Sequence, residues 1–413
     1  MQQYKQEWFG NIRGDILAGI VVCLALFPEV IGFMIVAGVP PIVGVYATFF
    51  ITAIAAFFGS SKGMISAAAG SVALVLAHLV AEYGIQYLFA ATILAGILQV
   101  ALGLLKVGTL MRYIPKPVMT GFVNGLGIMM FTSQLDHFQG SLLLPLLGLL
   151  GIAIIFLFPR ITKKIPAPIV AILVITAIVL GFGLDVKTLG DMGSISTDLP
   201  RFGIPAVPMT VETLRIIFPT ALSVAIVGLV ESLLTAQLVD EITDEKSDKN
   251  QETLSQGLGN VVSGFFGGIA GCGMIGQTII NLNYGGLGRL ATFLSGFFML
   301  LSVVLLNGSV VQIPVVALAA VMVVVSIETI NWDSIKRLRT NPKNESFAMI
   351  LTVAIVIGTH NLAYGVVAGT LVSAVFAAFK MSHLHVATGT ADDDHHYKVD
   401  GHLYFASAEK FLD

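Results

Sequence analysis

Apolar stretches of membrane length, separated by short charged links, recur along the whole chain and leave few folds open. Of 413 residues, 56% are hydrophobic and 11% charged, and the mean hydropathy is +0.89. A water-soluble domain is about 25% charged, so a soluble globule is excluded. Hydrocarbon offers no water to backbone N–H and C=O groups, so each span must close its own hydrogen bonds as a helix. The pattern predicts an all-α polytopic membrane protein with fourteen segments. The first half gives roughly 14–37, 40–58, 64–81, 86–105, 117–135, 141–158 and 167–184. The second half gives roughly 212–239, 252–269, 272–283, 288–307, 312–330, 345–360 and 361–382.

The two halves repeat. Ala91, Thr92, Leu94 and Gly96 return as Ala291, Thr292, Leu294 and Gly296, and Ile114-Pro115 has its counterpart in Ile313-Pro314. Positive charge fixes the layout independently. With the N-terminus inside, every Lys and Arg except Lys187, Arg201 and Arg215 falls in an inside loop or a tail, as cytoplasmic loops require. Seven segments per half is an odd number, so the halves insert in opposite senses. Such inverted repeats build transporters around a central site. The third segment and the tenth, in corresponding places, are short or rich in small and polar residues, and read as half-helices.

Composition carries little else. The net charge of −3 points to no nucleic-acid partner. Cys23 and Cys272 lie in apolar runs and imply no disulfide framework. The first apolar run starts after Arg13 without a cleavage site behind it and reads as a retained helix. Residues 185–210 form a polar external connection and residues 240–250 a charged inside linker. After Lys380 the chain turns soluble. Residues 391–396 read as a solvated connector, and residues 397–406 as two short strands around an Asp400-Gly401 turn.

The chemistry concentrates in the half-helices. The third segment carries Ile65, Ser66, Ala67, Ala68, Ala69, Gly70 and Ser71; the tenth opens Gly271, Cys272, Gly273, Met274, Ile275, Gly276, Gln277. Small residues at a helix start let an anion approach backbone N–H groups, and the helix dipole favours negative charge there. Gly273 is expected to need its bare backbone and Gly271 to tolerate alanine, while Cys272 is expected at a water-accessible position. Two carboxylates lie inside apolar runs, Glu29 after Pro28 and Glu231 in the eighth segment. Such residues usually face a cavity and serve function. Pro28 is expected to break the first helix locally, and Thr235 stands one turn after Glu231. His78 reads as a satisfied polar group, and Asp136 and His137 as interfacial. Asn124 and Asn260 read as helix glue, with Gln277 and Asn281 as site-lining amides. No nucleophile sits beside a base, and no cluster has metal-ligand spacing, so no enzyme is indicated.

Six stretches make the chain resemble the sulfate permease (SulP) family, whose animal relatives are solute-carrier anion exchangers. They are Gly14-Asp15, Phe27-Pro28-Glu29, residues 228–235, 247–250, 256–260 and 271–277. The resemblance implies a core domain (10–110 and 212–309), a gate domain (111–184 and 310–384), an extracellular connection (185–211) and, from 385 to 413, a linker with the start of a truncated cytoplasmic STAS domain. It implies an elevator-like transporter of a small inorganic or carboxylate anion, sulfate first, in the bacterial inner membrane. Both termini would be cytoplasmic and the chain a homodimer in the bilayer. Substrate would meet Ala69, Gly70, Ser71, Gly273, Met274 and Gln277, and the coupling ion Glu231, Thr235 and Glu29. No cofactor is implied; the coupling ion is a proton or sodium. Sodium-driven bicarbonate relatives carry Asp in place of Glu231 and a hydroxyl residue in place of Ala69; both departures speak against sodium coupling and bicarbonate, and a Glu there suits a proton at least as well. The rivals are bicarbonate or dicarboxylate transport, a nucleobase–proton symporter, for which the tenth segment lacks a carboxylate, and a passive anion channel.

Overall fold

The computed structural model describes residues 2–109, 115–162, 166–192, 199–381, 385–391 and 394–400. A short helix α1 (Gln2–Phe9) precedes α2 (Ile12–Ala37) and α3 (Pro41–Phe58). Next come a strand β1 (Ser66–Ala68) with α4 (Gly70–Tyr83), then α5 (Ile85–Leu104), α6 (Lys116–Gln134), α7 (Leu143–Leu157) and α8 (Ala167–Phe182). The second half gives α9 (Val211–Thr243), α10 (Lys249–Phe265), β2 (Gly271–Gly273) with α11 (Ile275–Asn283), and α12 (Arg289–Val310). It continues with α13 (Val315–Thr329), a small α14 (Trp332–Lys336), α15 (Lys343–Thr359) and α16 (Leu362–Met381). Each of the fourteen expected segments corresponds to one of these elements. Helices α2, α3, α5, α9 and α7 with its last turn are long and apolar enough to span by themselves; the others are shorter or more polar and pack against them. With 9 residues, α11 rises only about 14 Å, against about 30 Å of hydrocarbon.

The repeat is visible in the contacts. Gly96 on α5 lets α10 approach so closely that a Cβ there would lie 2.6 Å from Gly257 O and from Val261 N. Gly296 does the same between α12 and α3, where a Cβ would lie 3.0 Å from Thr52 Cβ and 3.1 Å from Phe49 Cα. In a sevenfold inverted repeat, the fourth and ninth segments are the counterparts of the eleventh and second, so the two glycines sit at equivalent crossings. Ala91 and Ala291 are both fully buried. Pro115 and Pro314 both immediately precede helices, α6 and α13.

The helices gather in two clusters. In one, α10 packs on α5 and α3, and α12 on α2 and α3, with α4, α9 and α11 between them. In the other, α15 packs on α6 and α16, and α13 on α6 and α7. Helices α2 and α13 meet where the clusters touch: a Cβ on Gly32 would lie 2.5 Å from Met322 Cγ. Burial along α13 is lopsided. Residues 315–324 are all buried, whereas Ile327, Glu328 and Thr329 are not, and Glu328 is exposed. The clusters are therefore sealed on one side of this contact and parted towards the end of α13 that leads to Lys336 and Arg337.

Two expectations need correction. α2 runs unbroken through Pro28; proline removes one donor, and dense packing of the neighbouring turns holds the helix. The connection after α8, as polar as expected, is pinned by backbone hydrogen bonds. Leu189 N–H donates to Ile313 O, Gly190 N–H to Val311 O and Val315 N–H to Lys187 O, each at 2.9 Å, with Leu189 fully buried. Beyond α16, β3 (His385–Ala391) pairs antiparallel with β4 (Asp394–Asp400), so strands occupy part of the expected connector; the expected strand after Gly401 lies outside the described residues.

These crossings predict a clear stability contrast. Gly96→Val and Gly296→Val should each destabilise the protein by about 1–3 kcal/mol through overpacking. Gly181→Val, where a Cβ meets nothing within 4 Å, should leave thermal unfolding in detergent unchanged.

Candidate functional site

Two three-residue strands cross in the middle of the membrane. β1 and β2 pair antiparallel, Ser66 with Gly273, Ala67 with Cys272 and Ala68 with Gly271. All six residues are buried, so extended backbone here needs partners for every polar group. Neighbouring helices supply them. Asn260 on α10 accepts from Gly271 N–H at 2.8 Å and donates to Gly271 O at 3.1 Å and to Gln99 Oε1 at 2.8 Å. Ser232 Oγ accepts from Gly273 N–H at 2.8 Å, and Thr235 Oγ1 reaches Gly273 O at 3.2 Å. Ile65 receives Met274 N–H and donates its own N–H to Thr278 Oγ1. Gln256 donates to Ser66 Oγ at 2.7 Å.

Each strand delivers a helix start to the same place from opposite repeats. The residues preceding α4 and α11, Ala69 and Met274, are extended and provide no side-chain cap. First-turn N–H groups have no intrahelical acceptor, so both ends present bare donors and a positive dipole end. Their surroundings differ. A Cβ on Gly70 would collide with Phe33 at 2.6 Å and crowd Met130 at 3.3 Å, so α2 and α6 cover the start of α4. A Cβ on Gly276 would meet nothing within 4 Å, and Gly276 is exposed. The open side of the site lies there.

Glu231 joins the two starts. Its Oε2 accepts from Ser71 Oγ at 2.5 Å and from Cys272 Sγ at 3.2 Å. One carboxylate oxygen thus takes a donor from each repeat, and no basic side chain among the described residues acts on it. Glu29 is half-buried and is hydrogen-bonded by the Gln277 amide, with Glu328 in electrostatic range.

The residues singled out from the sequence converge here, with redistributed contacts. Ala69, Gly70, Ser71, Met274, Gln277, Glu231, Thr235 and Glu29 surround the two helix starts. The Gly273 N–H and Met274 N–H are occupied by Ser232 and Ile65, which leaves residues 275–277 as the bare donors of α11. A Cβ on Gly273 would press on Ser232 Cα at 3.0 Å, so its smallness serves packing on α9. A Cβ on Gly271 would run into the Ala67 backbone, against the expected tolerance. Cys272 is fully buried here, whereas water is expected to reach it in at least one access state. Asn281 bonds Gly63 O and Gly286 O and lines no site. Thr235 donates to Glu231 O and Gly273 O. His78 pairs with Glu82 at an exposed position. Sequence reasoning missed Phe33, Met130, Ser232 and Gly276; only Gly276, the third glycine of the six-residue stretch 271–276, carried a local signal.

Known proteins share this sequence and this fold. The profile of the Sulfate permease family matches residues 12–142 and 141–352. "Putative sulfate transporter YbaR" of Bacillus subtilis (strain 168) is 53% identical over 407 residues, covering 98% of this chain and 85% of that protein. The bicarbonate transporter BicA of Picosynechococcus sp. is 28% identical over 421 residues, covering 93% of this chain and 73% of that one. Among solved structures, the transmembrane domain of a cyanobacterium BicA superposes with a TM-score of 0.77 at 25% identity, covering 89% of this chain and 98% of that one. SLC26A9 superposes at 0.81 with 19% identity, covering 93% and 68%.

The clamp on β2 gives a direct test. Asn260→Leu is close in volume but strands the Gly271 N–H and Gln99 Oε1, and each buried orphan costs about 1–3 kcal/mol. The variant should unfold at clearly lower temperature than wild type and lose anion binding with it; an unchanged unfolding temperature would contradict the clamp.

Proposed function

Since this chain belongs to the sulfate permease family and is a multi-pass membrane anion transporter, we propose that it is a secondary active carrier taking up sulfate with a proton. The observation that carries this reading is the single carboxylate, Glu231, bridged to both uncapped helix starts. Each helix N-terminus offers about half a positive charge, so two give about one. An ionised Glu231 cancels it, and no Lys or Arg replaces it. A divalent anion therefore binds well only when Glu231 is neutral, and a proton arriving with the anion is the simplest way to neutralise it. Thermodynamic reciprocity then makes the proton bind better when the anion is present, which is symport.

Sodium fits less well. Glu231 Oε2 already accepts two donors, and the Thr235 hydroxyl points at backbone carbonyls, so few oxygens are free to coordinate a hard cation. Bicarbonate is the second reading, favoured by the bicarbonate-transporting relatives; its single charge needs less neutralisation.

For movement, we take the cluster holding both half-helices (residues 10–110 and 212–309) as a core that slides past a gate (111–184 and 310–384). The parting beside Glu328 lies at the end bearing the basic loops, which the charge rule assigns to the cytoplasm, so this state opens inward with both termini inside a bacterial plasma membrane. Exposed apolar residues such as Leu146, Leu149 and Leu173 are what lipid, and a second copy in the expected homodimer, would cover.

Uptake of labelled sulfate, bicarbonate and fumarate into proteoliposomes tests this. An inward proton gradient should drive sulfate accumulation, a sodium gradient should not, and Glu231→Gln should abolish accumulation while leaving the protein folded. Undiminished gradient-driven uptake by that variant would remove Glu231 from the mechanism. Gly276→Leu, filling the open side, should weaken sulfate binding at least tenfold (about 1.4 kcal/mol).

A further inference from the structure

Between α13 and α15, basic charge, exposed apolar surface and a rigid mount coincide outside the anion site. Residues 330–342 carry Lys336, Arg337 and Arg339 against one acidic residue, Asp333. Lys343 and Glu345, at the start of α15, offset each other. Lys336 approaches Asp333 at 3.4 Å, but both side chains are exposed, and such a pair holds weakly in water. Arg337 is exposed and joins no ion pair among the described residues.

Apolar side chains stand beside these cations. Along α14, Trp332, Ile335 and Lys336 share one helix face, at spacings of three and four residues. Trp332 is 51% exposed and Ile335 44%. At a membrane boundary such side chains enter the lipid, while a neighbouring lysine keeps its ammonium at headgroup level.

The segment is rigidly mounted. Asn124 on α6, itself buried, accepts from Asn331 N–H at 2.7 Å and donates to Ser334 Oγ at 2.9 Å. Asn331 Oδ1 accepts from Ser334 N–H at 3.0 Å and so caps α14. The Trp332 indole donates to Ile327 O at 2.9 Å, so its N–H is occupied while its ring stays half-exposed. A partner for this surface must offer an anion and an apolar chain together at the membrane boundary. A free phosphate has no use for Trp332 and Ile335, and anionic phospholipid supplies both parts.

We propose that Trp332, Ile335, Lys336 and Arg337 form a binding surface for anionic phospholipid, on the side of the membrane that bears the basic loops. The basic side chains face the headgroup, and the two apolar ones meet the upper acyl chain. Each Lys or Arg near an anionic surface contributes about fivefold in affinity. Because Asn124 ties α14 to α6, lipid held here is held by the cluster of α6, α13 and α15. The proposal rests on the loop lying at the membrane boundary and on neither the coupling ion nor the sliding motion.

Tryptophan quenching by lipid tests this. The chain has two tryptophans, so a Trp8→Phe background leaves Trp332 as the one fluorophore. In nanodiscs of phosphatidylcholine with a minority of phosphatidylglycerol, bromine is placed near the headgroup end of the acyl chains. It is carried either by the phosphatidylglycerol or by an equal mole fraction of the phosphatidylcholine. Both leaflets have one composition, so the reading does not depend on how the chain is oriented. Brominated phosphatidylglycerol should quench Trp332 at least threefold more effectively than brominated phosphatidylcholine. Lys336→Gln with Arg337→Gln, both at exposed positions, should bring the two lipids to within about 1.5-fold of each other. High salt should weaken the wild-type preference in the same direction. Equal quenching by the two lipids in the background protein, or an unchanged preference in the double variant, would overturn the proposal. So would a preference abolished by excess soluble glycerol phosphate, which would make the ligand a free phosphate. Quenching by neither lipid would mean that protein, such as a second copy of the chain, covers this face.

Discussion

Backbone hydrogen bonding between two three-residue strands in the middle of a membrane is the constraint on which the site depends. Extended chain in hydrocarbon carries polar groups that a helix would have satisfied internally, and each orphan costs several kcal/mol. The strands meet part of that need through each other, and the rest falls to Asn260, Ser232, Thr235, Thr278 and Gln256, which come from α9, α10 and α11. Small side chains are dictated by the same geometry. At Gly271 even one methyl would collide with the opposite backbone. Once the crossing is held, α4 and α11 must start at mid-membrane, and their uncapped donors face a common space.

The two repeats supply equal parts and then diverge. Phe33 and Met130 cover the start of α4, while the start of α11 is open beside Gly276. Glu231 takes hydrogen bonds from both repeats, through Ser71 and Cys272. This asymmetry turns a structural duplication into one site bridged by one carboxylate. It also gives that group mechanical reach, because a change in its charge is felt at both helix starts.

Much of this was legible from the chain. Fourteen segments, the half-helices, the inverted halves and the place of Glu231 inside an apolar run follow from hydropathy and basic loops, because each is a local property of the sequence. What could not be read depends on pairs about 200 residues apart. Nothing near Cys272 says that Ala67 lies opposite it, so its burial and the intolerance of Gly271 were missed. Asn281 looked like a site residue because it shares a face with Gln277, but the turn at Gly285 and Gly286 claims its amide. Pro28 suggested a break, yet packing along α2 carried the helix through it.

The central claim is that Glu231 must be neutral for the divalent anion to bind between the two helix starts. Calorimetric titration of purified protein with sulfate from pH 5 to 8.5 tests it most directly. Coupling to one proton requires the affinity to fall by as much as about tenfold per pH unit once Glu231 ionises. Glu231→Gln, neutral throughout, should bind sulfate with little dependence on pH. A Glu231→Gln protein whose sulfate affinity falls with pH as steeply as that of wild type would contradict the account.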